Sequence, residues 1–315
     1  MVASQALEKY LMRATLLCST LLLASVSLSL NAQAAIYITI VQGLGGEPTF
    51  DEKFHDQATA IAEASASLTD PEKISLFSGA DASRENLLTH FASQSSMMTE
   101  SDRAAIYLIG HGSFDGDEYK FNIPGLDITT ADILNIMSAF PGQNHFLLNS
   151  SSTSGALLEP LENENRILVT ATRSGNEKNA TFFGQFFAEA LSNGDADLNK
   201  NNNISIEEAF GYAQRQVEEY FESQGQLATE HAEIRGDGAA QFTLARLNPV
   251  IIATEDPRIA ELQEQSLEID RQIEGLQLRR TEFSNQEYIE QLQALILQSA
   301  TINEEIDQLL EETDN

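Results

Sequence analysis

"AAIYLIGHG", residues 104–112, is the stretch of sequence that sets the fold. Its unbroken apolar run, closed by a glycine, is typical of a strand that is buried on both faces. Such strands belong to parallel sheets covered by helices on either side. His111, between two glycines directly after the run, is then expected at the carboxyl end of a strand, where parallel α/β sheets carry their sites.

The rest of the chain repeats this alternation of strand and helix. Short links separate the segments, which is typical of a mainly parallel sheet inside a three-layer α/β sandwich. Strands are predicted at 35–43, 73–79, 104–110, 145–149 and 166–172, and helices at about 51–66, 83–94, 129–140 and 181–191.

Length and charge limit the classes of partner. The 315 residues suffice for one sizeable domain plus an appendage, and an apolar content of 42% supplies a packed core. The formal net charge of −30 repels phosphate backbones and anionic membranes. Nucleic acid is therefore excluded as a predicted partner.

The first residues form a predicted signal peptide, residues 1–34. Lys9 and Arg13 precede an apolar segment, and the small residues Ala32 and Ala34 follow it as a cleavage site requires. An uncleaved anchor is the alternative, but the segment is shorter than the ~20 apolar residues of a membrane span. We expect a periplasmic or secreted protein without a membrane span. Cys18, the one cysteine, would leave with the signal, so the mature chain would have no thiol.

A second strand that ends in residues capable of catalysis lies in "NHFLLNSSSTSGALL", residues 144–158. The gap between His111 and Ser152 leaves room for one crossover helix, so adjacent parallel strands would bring both residues together. An imidazole there is placed as a general base, and a serine on such a turn is placed as a nucleophile. The alternative is that His111 only lies in a glycine turn and that Ser152 only belongs to a serine-rich helix cap.

Together, "GHGS" (110–113) and "STSG" (152–155) resemble the legumain- and caspase-like cysteine peptidases, and most closely the legumain-like branch with its exported bacterial relatives. The resemblance spans about 35–242 and implies a caspase-like domain at 35–250. It implies that His111 is the catalytic histidine and that Ser152 stands at the position of the catalytic cysteine. It further implies that the amides of Gly112 and Ser152 form the oxyanion hole and that Glu177 borders the substrate cleft.

Serine at the cysteine position departs from this family. A hydroxyl is far less acidic than a thiol, and the loss of general-base help costs about two to four orders of magnitude in rate. We therefore expect little or no proteolysis and a cleft that still binds a peptide or protein segment. The alternative is an active hydrolase in which Ser152 is the nucleophile and His111 the base. Ser150 and Ser151 are out of register with the motif.

"DLNKNNNISIEE", residues 197–208, has the spacing of an EF-hand calcium loop. Asn202 replaces the usual glycine at position six, and asparagine tolerates a left-handed backbone next best. Two charged ligands predict weak, structural calcium binding, on the order of 10⁻⁴ M. The alternative is a polar loop that caps the next helix. The predicted ligands at positions one, three, five, seven, nine and twelve are Asp197, Asn199, Asn201, Asn203, Ser205 and Glu208.

The last segment, 257–315, has the apolar spacing of coiled-coil heptads. A polar stretch at 279–286 is predicted to fold it into a helical hairpin. The hairpin either forms homo-oligomers or docks a partner, as a scaffold would, or packs on its own domain. The apolar positions are Ile259, Leu262, Ile269, Ile273, Leu276, Leu292, Leu295, Ile302, Ile306 and Leu309.

Overall fold

The computed structural model describes residues 34–199, 201–247, 256–278, 280 and 283–313. All of them belong to one compact unit that begins at Ala34. The predicted signal peptide, apart from Ala34, lies outside the described residues. No helix in the described part of the chain is long and apolar enough to cross a membrane.

A six-stranded sheet forms the centre of the molecule and is parallel except at one edge. Its order is β10-β8-β7-β3-β1-β2, and only β10 runs antiparallel to its neighbour. The prediction of an α/β fold with a mainly parallel sheet is confirmed. The strands are β1 (Ile36–Gln42), β2 (Ile74–Phe77), β3 (Arg103–Ile109), β7 (His145–Asn149), β8 (Arg166–Thr170) and β10 (Glu233–Arg235).

Helices cover both faces of this sheet. Successive residues of β3 enter opposite clusters: Tyr107 packs into the core beneath α1, α5 and α6, and Leu108 into the core beneath α2, α3 and α4. All residues of β3, β7 and β8 are buried, as expected for strands covered on both faces. These helices are α1 (Pro48–Ser65), α2 (Arg84–Met97), α3 (Thr130–Ala139), α4 (Leu158–Leu161), α5 (Phe183–Ala190) and α6 (Ile206–Ser223).

Two helix boundaries differ from the prediction for identifiable reasons. Helix α1 starts at Pro48 rather than near residue 51, because proline fits the first helical position, where no amide donor is needed. Helix α5 starts later than residue 181, at Phe183. The Thr181 hydroxyl donates instead to the Ser150 carbonyl, and the Phe182 amide donates to Glu230. Thr129 caps α3 through a capping box with Asp132.

The fold also contains two small antiparallel sheets that are separate from the central one. Strands β4 (Gly112–Phe114), β5 (Tyr119–Phe121) and β6 (Ile128–Thr129) form an antiparallel meander directly after β3. Strands β9 (Asn203–Ser205) and β11 (Thr243–Arg246) pair antiparallel beside the predicted calcium loop. The meander places the chain after His111 against the carboxyl edge of the central sheet.

The C-terminal segment forms a hairpin of two helices, α7 (Pro257–Leu278) and α8 (Asn285–Thr313). The break falls where the polar stretch predicts it. Ile259, Ile269, Leu276 and Ile306 are buried, and the other six predicted heptad positions are half-buried. The Ser266 hydroxyl of α7 donates to the Asn303 side chain of α8 (3.4 Å), so the two helices lie side by side.

We predict that Gly236→Ala weakens the attachment of β10 to the sheet. Gly236 has a φ of +97°, and an added Cβ would lie 2.0 Å from the Arg166 carbonyl oxygen of β8. Gly238→Ala is the matched control, since its φ is +90° but the nearest atom would be 3.5 Å away. Backbone strain alone should lower the free energy of unfolding by about 1–3 kcal/mol.

Urea unfolding of both variants checks this prediction. The Gly236 variant should lose clearly more than the Gly238 variant, because it adds a backbone clash to the strain. Equal losses would show that the close approach of β10 to Arg166 is unimportant for stability.

Candidate functional site

The two predicted strand ends meet at one edge of the sheet. Strands β3 and β7 are parallel neighbours, with Ala105 opposite Phe146 and Leu108 opposite Asn149. The Ser150 amide donates to the Leu108 carbonyl (3.0 Å), which carries the ladder one residue beyond the strand. The turns that hold His111 and Ser152 therefore leave the sheet side by side, as the sequence predicts.

Aromatic contacts hold the His111 ring. It lies edge-on to Phe50 and Phe54 of α1, with centroid distances of 4.7 and 5.0 Å. Its carbonyl accepts the Asn122 amide (3.0 Å), which ties the turn to the chain beyond β5. Among the described residues, no hydrogen bond joins the imidazole to Ser152. The packing thus fixes the ring plane without pairing the ring to a hydroxyl or carboxylate.

The Ser152 hydroxyl is bonded to the main chain. Its Oγ donates to the Gly112 carbonyl (3.1 Å), and the residue is only 6% exposed. A carbonyl accepts a hydrogen bond but is no general base, so this contact does not activate the hydroxyl. The next residue, Thr153, has a φ of +60°, and its amide donates to the Glu177 carbonyl (2.8 Å).

A buried hydrogen-bond network supports the turn at Ser152. Tyr119 Oη lies 2.6 Å from Ser151 Oγ and accepts the Asn149 amide group (2.8 Å). The Ser151 amide donates to Asn149 Oδ1, and its hydroxyl donates to the Ser152 carbonyl. Burial raises the pKa of the Tyr119 phenol, so it stays a neutral donor and acceptor. Ser151 is thus part of the frame of the turn, and Tyr119 is a member that sequence reasoning missed.

Gly112 is required by close packing rather than by its backbone angles. A Cβ there would lie 2.5 Å from Ser151 Oγ, 2.6 Å from Tyr119 Oη and 2.7 Å from the Ser152 carbonyl. Gly155 is held as tightly, because its Cβ would lie 2.2 Å from the Ser174 amide nitrogen. Gly112 and Gly155 therefore sit where two chain segments approach each other closely.

Glu177, the predicted cleft residue, is bonded within the chain. Its carboxylate contacts Arg173 Nε (3.0 Å) and His231 Nδ1 (2.8 Å), and it accepts the main-chain amides of both residues. These contacts use the acceptor positions that an ionised carboxylate offers. Glu177 therefore joins the loop after β8 to the segment before β10, and His231 is a further partner that the sequence did not indicate.

Glu230, beside His231, is a buried carboxyl group near the same loop. It is 3% exposed and accepts the amides of Phe182 (2.8 Å) and Phe183 (3.2 Å) at the start of α5. Burial raises its pKa to about 7, and the two amide donors offset only part of this effect. A buried titratable group thus lies under the loop that supports Thr153, and no local sequence pattern pointed to it.

Side chains of the predicted calcium loop accept main-chain amides within the loop itself. Asp197 accepts the amides of Asn201 (3.1 Å) and Asn202 (3.0 Å), and Asn202 has a φ of +60° at loop position six. Asn199 and Asn201 each accept the amide two residues further on. Asparagine therefore fills the left-handed position as the sequence analysis expected.

Glu208 and Ser205 cap the helix that follows this loop. The Ser205 hydroxyl accepts the Glu208 amide, and Glu208 in turn accepts the Ser205 amide (3.0 Å) and hydroxyl (2.7 Å). Its other oxygen accepts the amides of Leu198 (3.1 Å) and Asn199 (3.4 Å). Glu208 thus completes the capping box of α6 and also binds the main chain at the start of the loop.

Across the described residues, no group of three or more His, Cys, Asp or Glu side chains is arranged to hold a metal ion. Of the six predicted ligands, only Asp197 and Glu208 are such residues. The fit of the loop to calcium therefore rests equally on the oxygens of Asn199, Asn201 and Ser205. All of these donors are oxygens, which is the donor type that calcium prefers.

Comparisons with known proteins assign no family. No family model matches the chain, and no curated protein matches it. Among solved structures, protein GSU0716 from Geobacter sulfurreducens is similar, with a TM-score of 0.43 and 8% sequence identity. The match covers 64% of this chain and 93% of that chain. A likeness of this size assigns neither a family nor a function.

We predict that Glu230 makes the protein less stable as pH rises. In the unfolded chain the carboxyl group loses its proton near pH 4.5, whereas in the folded chain it keeps the proton until about pH 7. Between these values the folded state binds more protons, so the free energy of unfolding falls, by on the order of 3 kcal/mol in total. Above pH 7 the loss from this group is complete.

Urea unfolding between pH 4.5 and 8 tests this expectation with Glu230→Gln. The variant should lack that part of the decline which the wild type shows. Glu233→Gln, three residues away in β10, is the control and should follow the wild type. Parallel curves for wild type and Glu230→Gln would refute the assignment.

Proposed function

We propose that this chain is an exported homologue of the legumain- and caspase-like peptidases whose cleft binds a peptide or protein segment without cleaving it. The observation that carries the proposal is the hydrogen bond of the Ser152 hydroxyl to the Gly112 carbonyl. It places the candidate nucleophile beside the histidine turn while leaving it unpaired with the imidazole.

The architecture supports the first half of the proposal. His111 follows one parallel strand, and Ser152 follows the neighbouring strand after a crossover through α3. This is the chain order on which the resemblance to the peptidases rests. A caspase-like sandwich is the finer fold that we propose for this α/β frame. The exported location rests on the signal-like sequence at residues 1–34.

The chemistry of the nucleophile supports the second half. A thiol with a pKa near 8.5 is a few per cent thiolate at neutral pH, so it attacks without a strong base. A serine hydroxyl needs an aligned base, and the His111 imidazole packs against Phe50 and Phe54 instead. Without general-base help the rate falls by about two to four orders of magnitude.

The rim of the cleft has features that suit a bound chain. The Leu44 amide donates to the Asn122 carbonyl, and the Asn122 amide donates to the His111 carbonyl, so Leu44 is held close to the histidine turn. Its side chain is 45% exposed. Phe114 of β4, which is half-buried, packs on Gly175. Exposed apolar side chains around a site with main-chain donors are typical of peptide-binding clefts.

Substituting the missing thiol tests the proposal. Wild-type protein should leave a diverse peptide library uncut, and Ser152→Ala should behave in the same way. Ser152→Cys should cut at a rate at least about a hundredfold above wild type, because the thiolate needs no strong base. Peptide cleavage is followed by mass spectrometry.

Ser151→Cys is the matched control, since it places a thiol one residue away in the buried network under the turn. It should remain silent. Cleavage by wild type that is lost in Ser152→Ala would instead establish a serine-dependent hydrolase with His111 as its base.

Calcium is the cofactor that we propose for the loop at residues 197–208, in a structural role. Asp197 and Glu208 would supply the charged ligands, and Asn199, Asn201, Ser205 and the Asn203 carbonyl the neutral ones. The calcium ion would neutralise two carboxylates that are both nearly buried. Glu208 accepts four hydrogen bonds, so a calcium ion would replace the Leu198 and Asn199 amides as partners of its carboxylate.

Calcium should therefore raise the stability of the wild type. At a Kd of about 10⁻⁴ M, about 10 mM calcium would add about 2.7 kcal/mol to the free energy of unfolding. Glu208→Gln should lose this gain, and Glu207→Gln, its exposed neighbour, should keep it. Urea unfolding with calcium or with magnesium makes the measurement. An equal gain in all three proteins would place the ion elsewhere.

A further inference from the structure

The hairpin of α7 and α8 has a groove along one side. Its larger part has a volume of about 740 Å³ and lies between Glu264 and Glu268 of α7 and Leu297 and Ile302 of α8. A second depression shares Glu261 and Gln265 with it and continues the groove towards the start of α7. From residue 258 to residue 271 the groove runs about 20 Å, the length of three to four helical turns.

One large apolar side chain that lines this groove is exposed to solvent. Leu297 of α8 is 70% exposed. Ile302 and Ile269 form the apolar floor between the helices. Together, Leu297, Ile269 and Ile302 give the groove an apolar strip that the apolar face of a helix could cover.

The rim of the groove is acidic. Its carboxylates are Glu261, Glu264, Glu268 and Glu305. The two arginines at the rim each have a carboxylate partner, since Arg258 pairs with Asp256 (2.6 Å) and Arg271 approaches Glu268 (3.7 Å). The chain as a whole carries a net charge of −30, so a second copy would meet this rim with like charge.

We propose that the groove binds an amphipathic helix of a partner protein whose apolar stripe is flanked by Lys and Arg. Such a helix would complete a three-helix bundle with α7 and α8. Its apolar residues, spaced by three and four, would cover Ile269, Leu297 and Ile302, and its cationic side chains would face the four glutamates. The proposal concerns the hairpin alone and does not rest on the proposed function of the cleft.

Fluorescence anisotropy with the full chain tests this proposal. The probe is a labelled peptide of about 16 residues, built from Leu and Lys with the Leu residues in heptad spacing. A peptide of the same composition in scrambled order controls for charge, and a Leu and Glu peptide in the same heptad spacing controls for shape. The patterned Lys peptide should bind at least about tenfold tighter than either control, because only it offers both the stripe and the charge.

Three variants test whether the peptide binds in the groove. Leu297→Asp should weaken the patterned peptide at least about tenfold, and because the side chain is exposed the hairpin should still fold, which circular dichroism checks. Glu264→Gln with Glu268→Gln should weaken it several-fold. Glu290→Gln with Glu304→Gln removes the same charge from α8 outside the groove and should have little effect. Ser152→Ala should bind the peptide as the wild type does, which separates this surface from the cleft.

Three results would overturn the proposal. Equally tight binding of the scrambled Lys peptide would show that the attraction is diffuse charge alone. Unchanged affinity in Leu297→Asp would place the peptide elsewhere. Light scattering that shows a dimer of the full chain, converted to monomer by Leu297→Asp, would show that a second copy covers the groove.

Discussion

The parallel pairing of β3 with β7 determines where the candidate site lies. Once Leu108 stands opposite Asn149, the chain segments that leave both strands must run side by side. The Ser150 amide then reaches the Leu108 carbonyl, and the Ser152 hydroxyl reaches the Gly112 carbonyl. Burial on both faces keeps this register, because a shift would expose apolar side chains of strands that pack against two layers of helices.

The frame of the site and its chemistry are separable in this molecule. Close packing at Gly112 and Gly155 holds the turn in place. The hydrogen-bond network of Tyr119, Ser151 and Asn149 supports it further. None of these contacts depends on a reactive nucleophile at Ser152. The packing of the turn is therefore independent of which reactive group stands at position 152.

Sequence patterns predicted the parts of this structure that repeat locally. The apolar runs of β3 and β7 and the heptads of the hairpin have periods that a short window contains, and crossover topology then places His111 near Ser152. Tyr119, His231 and Glu230 were missed because each acts through a partner that is distant in the chain, and such a contact leaves no period in the sequence. Start positions of helices depended on similar contacts, as at Thr181 and Phe182.

A nuclear magnetic resonance titration of the wild-type protein with a mixed peptide pool tests the central claim most directly, because it detects binding and cleavage in one sample. We expect shifts of the amide signals at residues 110–113 and 150–155, with the peptides recovered intact. Cut peptides would contradict the proposed loss of catalysis. Intact peptides with no shift at either turn would contradict the proposed binding cleft.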